Sequence, residues 1–155
     1  MNREIRKLTQ SFSYAINGLR SCMQTERNFR IHITAACYVS VFALLGNLDT
    51  IRYAVLCLCF AVMMSAELMN TAIERLCDKQ AVGYDKTVKQ AKDIAAGAVF
   101  ICAVFCVVIG IVFFVPSGAL LRAFHVLYNH FWLSCFITLS IPVAVCFVFG
   151  YRPHK

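Results

Sequence analysis

The run from 94 to 115, IAAGAVFICAVFCVVIGIVFFV, carries no charge at all, and about 20 apolar residues suffice to cross the hydrocarbon core of a bilayer. Three further runs constrain the chain in the same way. The stretch 123–151 contains no Asp, Glu, Lys or Arg, only His125 and His130, and 31–48 is interrupted only by His32. The fourth, 53–66, is shorter and becomes long enough only if its helix continues into the acidic stretch AELMNTAIERLCD at 66–78. With 60% hydrophobic and 15% charged residues in 155, against about 45–50% and 25% in a soluble domain, four such helices leave no soluble core. The expected class is all-α and integral to a membrane.

The basic residues predict the orientation. Six of the fifteen Lys and Arg precede the first run (Arg3, Arg6, Lys7, Arg20, Arg27, Arg30), five lie between the second and third, and Arg152 and Lys155 close the chain. Only Arg52 and Arg122 fall in the other two connections. The bias of Lys and Arg towards the cytoplasm then puts both termini and the 75–92 connection on the cytoplasmic side. The net charge of +7 reads as topology and contact with anionic lipid, and its division among short flanking segments argues against nucleic acid. Nine cysteines sit mostly inside apolar runs, with no CxxC pair, and are expected as small buried apolar side chains rather than a disulfide framework.

Ahead of the first run, Ile5, Leu8, Phe12, Ile16, Leu19 and Met23 recur at three- and four-residue steps with Arg3, Lys7 and Arg20 alongside. That predicts an amphipathic helix on the membrane surface. Crossings are expected near 29–45, 50–76, 92–115 and 131–149, with GNLD and PSG as turns and a loop over 77–93.

The second crossing poses the chemical question. At 100° per residue with Glu67 at zero, Asn70 falls at about 300°, Glu74 at about 340° and Asp78 at about 20°. One face therefore carries a ladder of oxygen ligands. Ionisable residues in a membrane helix are rare and usually mark function. Glu26 sits at the entrance to the first crossing, and Lys92 and Asp93 open the third. Carboxylates at three helix ends suit Mg²⁺, a hard cation that keeps water and substrate phosphates. Lys7, Arg20, Arg30 and Lys92 are available to offset phosphate charge, and Glu67, deeper in the bilayer, is placed to act as a general base on a lipid hydroxyl. The pattern suggests phosphoryl transfer from a nucleotide to a lipid alcohol, although no glycine-rich phosphate loop occurs. Two other readings stay open: a proton- or cation-conducting protein using the same carboxylates as a relay, and a structural subunit in which Arg or Lys neutralises them.

The segments SFSYAINGLR, ERNFRIH, AELMNTAIERLCD and AKDIAAGAV, in this order and spacing, resemble the small prokaryotic diacylglycerol kinase and undecaprenol kinase family over about residues 8–115. The resemblance implies a homotrimer with an N-terminal surface helix and three crossings per protomer. It implies ATP- and Mg²⁺-dependent phosphorylation of a lipid alcohol at sites shared between protomers near the cytoplasmic face of the cell membrane. Carried over by motif, Glu67 is the catalytic base, Glu26 and Glu74 are metal ligands, and Asn70, Glu74, Asp78, Lys92 and Asp93 contact ATP, with Lys7 and Tyr14 also at the nucleotide. ERNFRIH is similar to the undecaprenol kinase branch, which favours undecaprenol over diacylglycerol. The chain departs from the family after 115. A kinase domain at 1–115 is expected to be followed by an extension, 116–155, with a fourth crossing. PSG at 116–118 is similar to a lipid phosphatase motif, but Ala119 stands where that motif has His, so no phosphatase is expected.

Overall fold

A computed structural model describes residues 3–80, 83 and 85–150. Among them the chain forms α1 (Arg3–Thr25), α2 (Arg27–Leu45), α3 (Thr50–Gln80), α4 (Lys86–Phe114), α5 (Ala119–Asn129) and α6 (Phe131–Phe149). Four helices are long and apolar enough to cross a membrane, Arg27–Leu45, Thr50–Lys79, Lys86–Phe114 and Phe131–Phe149. The all-α membrane architecture with a fourth crossing is as the hydropathy predicts. Large apolar side chains such as Phe100, Phe105, Val112, Phe136 and Val143 are exposed, as expected where lipid or another subunit covers them.

One expectation fails. The loop over 77–93 is much shorter, because α3 runs on to Gln80 and α4 already begins at Lys86. The Asp85 carboxylate caps α4, accepting from the amides of Thr87 at 2.7 Å and Val88 at 3.3 Å, and so holds two of the amides that a helix start leaves without partners. Ala81 and Tyr84 lie outside the described residues, as do Arg152 and Lys155.

α3 and α4 pack as an antiparallel pair, and α2 lies against α3 on one side and against α5 and α6 on the other. A single extended residue, Glu26 (φ −99°, ψ 113°), separates α1 from α2. The apolar side chains Ile5, Leu8, Phe12, Ile16 and Leu19 of α1 are exposed, the arrangement of a helix that meets a membrane surface.

At the opposite end, Ala43, Leu56, Phe114 and Ala119 form a buried cluster, with Phe42, Leu48, Tyr53 and Phe113 against it. Here α2 turns into α3 through Asn47, whose φ of 48° is one that Asn tolerates. Gly46 touches α5 directly: a Cβ there would run into the Ala119 carbonyl group. Arg122 reinforces the joint, donating from Nε to Gly46 O at 2.8 Å and from Nη1 to Ser117 O at 2.7 Å. Gly46→Ala is therefore expected to destabilise the protein by about 1–3 kcal/mol, the usual range for overpacking, read as a lower midpoint in detergent thermal unfolding. An unchanged midpoint would mean that α5 shifts freely.

PSG is a turn. Gly118 is left-handed (φ 67°), and the Ser117 hydroxyl donates to the Phe113 carbonyl at the end of α4.

Candidate active site

The polar face of α3 is directed towards the α1–α2 elbow and the start of α4. Glu67 is 2% exposed although it is a carboxylate, a type almost never fully buried unless partnered. Its Oε2, like Oδ1 of Asn70, is buried with no hydrogen-bond partner among the described residues. One turn on, Asn70 Nδ2 donates to Glu74 Oε1 at 3.0 Å. Glu26 and Glu74 are the charged neighbours that Glu67 feels electrostatically. The three carboxylates act on one another through space without closing into one cluster among the described residues.

Lys92 brings a positive charge to the same place. Its Nζ lies 2.8 Å from Asp78 Oδ1, and Glu74 is a further electrostatic neighbour. The pair joins the end of α3 to the start of α4. Being partly exposed, it adds little stability, and its role is placement.

Arg75 is the residue that the sequence reading left out. From α3 it donates Nη1 to Ser21 Oγ at 2.9 Å and Nη2 to Thr25 Oγ1, with Glu26 Oε1 at 3.6 Å. Thr25 Oγ1 in turn donates to Glu26 Oε1 at 2.7 Å. Next to this, the buried Cys22 thiol lies 3.4 Å from the Thr71 hydroxyl. Burial pushes that thiol above its ordinary pKa, with the Glu26 carboxylate adding to the shift, so Cys22 is a packing residue and a poor nucleophile. The helical wheel held the signal: Thr71 and Arg75 fall at about 40° and 80° from Glu67, at the edge of the acidic ladder.

The remaining expected residues are placed differently. Lys7 pairs with Glu4 at 3.0 Å, and Tyr14 is exposed. Both share a face of α1 with Ser21, at seven-residue steps, and of the three Ser21 reaches α3. Asp93 is exposed beside Lys92. Arg30 does not face the phosphate region. It is 3% exposed, and its guanidinium donates to the carbonyls of Met23, Gln24 and Val148, because a one-residue elbow folds the first turn of α2 back over the end of α1.

The donors Glu26, Asn70, Glu74 and Asp78 are all oxygens. Among the described residues no three His, Cys, Asp or Glu side chains enclose a metal. A few carboxylates without a cage fit Mg²⁺, which shares its coordination with water and phosphate. Farther along the bundle, α2, α3 and α4 line an apolar cavity of about 420 Å³ that begins at Met63 and Met64, one turn from Glu67, and is bounded at its other end by Phe114 and Leu120.

Sequence comparison decides what class of chemistry this arrangement serves. The family model for prokaryotic diacylglycerol kinase matches residues 13–114. The chain belongs to this family. It is a lipid kinase of the membrane, and ATP is the phosphoryl donor that kinase chemistry implies. The undecaprenol kinase of Bacillus subtilis (strain 168) is 39% identical over 114 residues, covering 74% of this chain and 93% of the relative. A diacylglycerol kinase of Synechocystis is 43% identical over 105 residues, 66% of this chain and 59% of that protein. The diacylglycerol kinase of Escherichia coli K12 is 28% identical over 102 residues, 66% of this chain and 84% of the relative. This lipid kinase carries α5 and α6 beyond the matched stretch.

Proposed function

We propose that this lipid kinase transfers the γ-phosphoryl group of ATP, with Mg²⁺, to the hydroxyl of undecaprenol. The observation that carries the reading is the buried Glu67 carboxylate with its unpartnered Oε2, on one helix face with Asn70 and Glu74. Glu67 accepts the proton as the acceptor O–H bond breaks and the new O–P bond forms, with ADP leaving. Glu26 and Glu74 hold Mg²⁺, which when bound draws off charge from the phosphate oxygens. Asn70, Asp78, Lys92 and Asp93 contact the nucleotide, and Lys92 offsets its charge. The apolar cavity beside Met63 and Met64 takes the acceptor's hydrocarbon chain.

Lys7 and Tyr14 reach the nucleotide when the protein assembles as a homotrimer in which neighbouring protomers share each site. Both lie exposed on α1, where Lys7 pairs with its helix neighbour Glu4. The site and both termini face the cytoplasm, the side on which the basic segments accumulate. The kinase unit spans 1–115, and 116–155 is an appended helical extension.

Undecaprenol is favoured by ERNFRIH and by the 39% identity to the Bacillus subtilis undecaprenol kinase across 93% of that protein. Diacylglycerol is the second reading, favoured by the 43% identity to the Synechocystis diacylglycerol kinase. Detergent-purified protein given labelled ATP and both lipids in parallel separates them. Labelling of undecaprenol alone is the expected result. Preferential labelling of diacylglycerol would keep the mechanism and change the acceptor. Labelling of neither would overturn both and turn attention to a carboxylate relay for protons.

A further inference from the structure

The last turn of α6 meets the elbow that carries Glu26, and the contact is made by charge on a backbone. The final carbonyls of a helix have no partner within it. Val148 O at the end of α6 accepts from Arg30 Nε at 3.2 Å and from Nη2 at 3.1 Å. The other edge of the same guanidinium donates from Nη1 to Met23 O at 3.0 Å and Gln24 O at 3.3 Å, carbonyls of the last turn of α1. One planar cation therefore joins two helix C-termini, whose like dipole ends would otherwise repel. The joint is buried: Arg30 is 3% and Val148 5% exposed.

Two further contacts fix α6 on α2. Arg27, the residue after Glu26, has its guanidinium carbon 5.9 Å from the centroid of the Phe149 ring, within cation–π range. Farther along, Tyr38 Oη and Ser140 Oγ are 2.8 Å apart, which sets the register of the two helices.

Glu26 sits between the two sets of restraints. Arg75 from α3 and Thr25 at the end of α1 hold its carboxylate, while Arg30 of α2 ties the Met23 and Gln24 carbonyls, two and three residues before it, to the end of α6. As the one non-helical residue of the elbow, it has no helix of its own to fix its direction.

We propose that α6 is a clamp in cis that orients Glu26 through Arg30, making Arg30 a positioning residue. α6 lies outside the 13–114 stretch that carries the family match, so the clamp belongs to the extension of this chain. The inference rests on the proposed metal role of Glu26. Loosening the clamp leaves Glu67 and Lys92 untouched and lets the elbow wander, so it acts on the metal requirement ahead of the chemical step.

Two full-length variants test it. Arg30→Lys keeps the charge but loses the fork that bridges two helix ends. The double variant Ser140→Ala, Phe149→Ala weakens the hold of α6 without touching Arg30, and it carries the test if Arg30→Lys fails to fold. Three measurements are made: amide exchange of the 22–30 segment, binding of Mn²⁺ with a non-hydrolysable ATP analogue by electron paramagnetic resonance, and Mg²⁺ titration of lipid phosphorylation.

Exchange at the elbow is expected to quicken in both variants. The metal affinity should fall by about tenfold, the scale seen when groups that orient metal ligands are removed, with kcat recovering at saturating Mg²⁺. Faster elbow exchange with unchanged metal affinity would overturn the positioning of Glu26. Unchanged exchange in every variant that folds would overturn the clamp itself. Failure of the wild-type protein to bind the Mn²⁺–nucleotide pair would overturn the metal role of Glu26, a separate result from either.

Discussion

Glu67→Gln is expected to leave a folded protein that binds Mg²⁺ and ATP as the wild type does and transfers phosphate about 10²–10⁴-fold more slowly, the range that a general base contributes. The substitution keeps the side-chain shape in a site where only 2% of the residue is exposed, so no cavity or clash accompanies it. It also removes a negative charge that Glu26 and Glu74 act against electrostatically. The thermal midpoint should accordingly be no lower than that of the wild type. Loss of rate without loss of stability is the signature that separates a base from a packing residue. Saturation with nucleotide should not restore the rate, because the amide cannot take the proton that the acceptor hydroxyl must release. Single-turnover transfer with pre-bound Mg·ATP, beside a binding isotherm, checks both halves. Near-normal transfer would remove Glu67 as the base, and lost nucleotide binding would move it into the binding set.

Much of this site was legible because helical periodicity is a strong signal in an apolar background. Four polar residues on one face of α3 stand out when the opposite face is Leu, Met, Ala and Ile. The crossings were legible for the same reason, since hydropathy marks what a bilayer must cover. The ends of α3 and α4 were not. Both helices continue through water-exposed residues that hydropathy does not mark, and the signal for the start of α4 was Asp85 as a cap two residues before Thr87. Arg75 escaped because it counts towards topology, while Lys7, Arg20, Arg30 and Lys92 are the cations the sequence offers to phosphate. Arg30 escaped for a deeper reason. Its partner is a backbone carbonyl 118 residues away, and no side-chain pattern records which carbonyl a helix end will present. Tyr14 rests on family resemblance and Lys7 on its charge as well, and within one chain both stay exposed on α1.

Glu74→Gln is expected to fail in another way, and the contrast tests how the ladder is divided. Glu74 Oε1 already accepts from Asn70 Nδ2 at 3.0 Å, which aims the carboxylate and leaves its other oxygen available for a cation. The substitution removes the negative charge that a hard divalent ion requires and leaves Lys92 with a weaker counter-charge, Asp78 alone at 2.8 Å. The Mg²⁺ needed for half-maximal transfer should rise by at least about tenfold, since even residues that merely orient metal ligands have effects of 10–100-fold. Part of the lost rate should return as Mg²⁺ is raised. In Glu67→Gln the Mg²⁺ curve should keep its midpoint and lose its height. Titrating Mg²⁺ at fixed ATP and acceptor for both variants resolves the two patterns. A Glu74→Gln curve with the wild-type midpoint and a lower plateau would exclude Glu74 as a metal ligand and leave Glu26 as the carboxylate to test. A shifted midpoint in Glu67→Gln would mean that the buried carboxylate holds the cation, and that the proton is taken elsewhere.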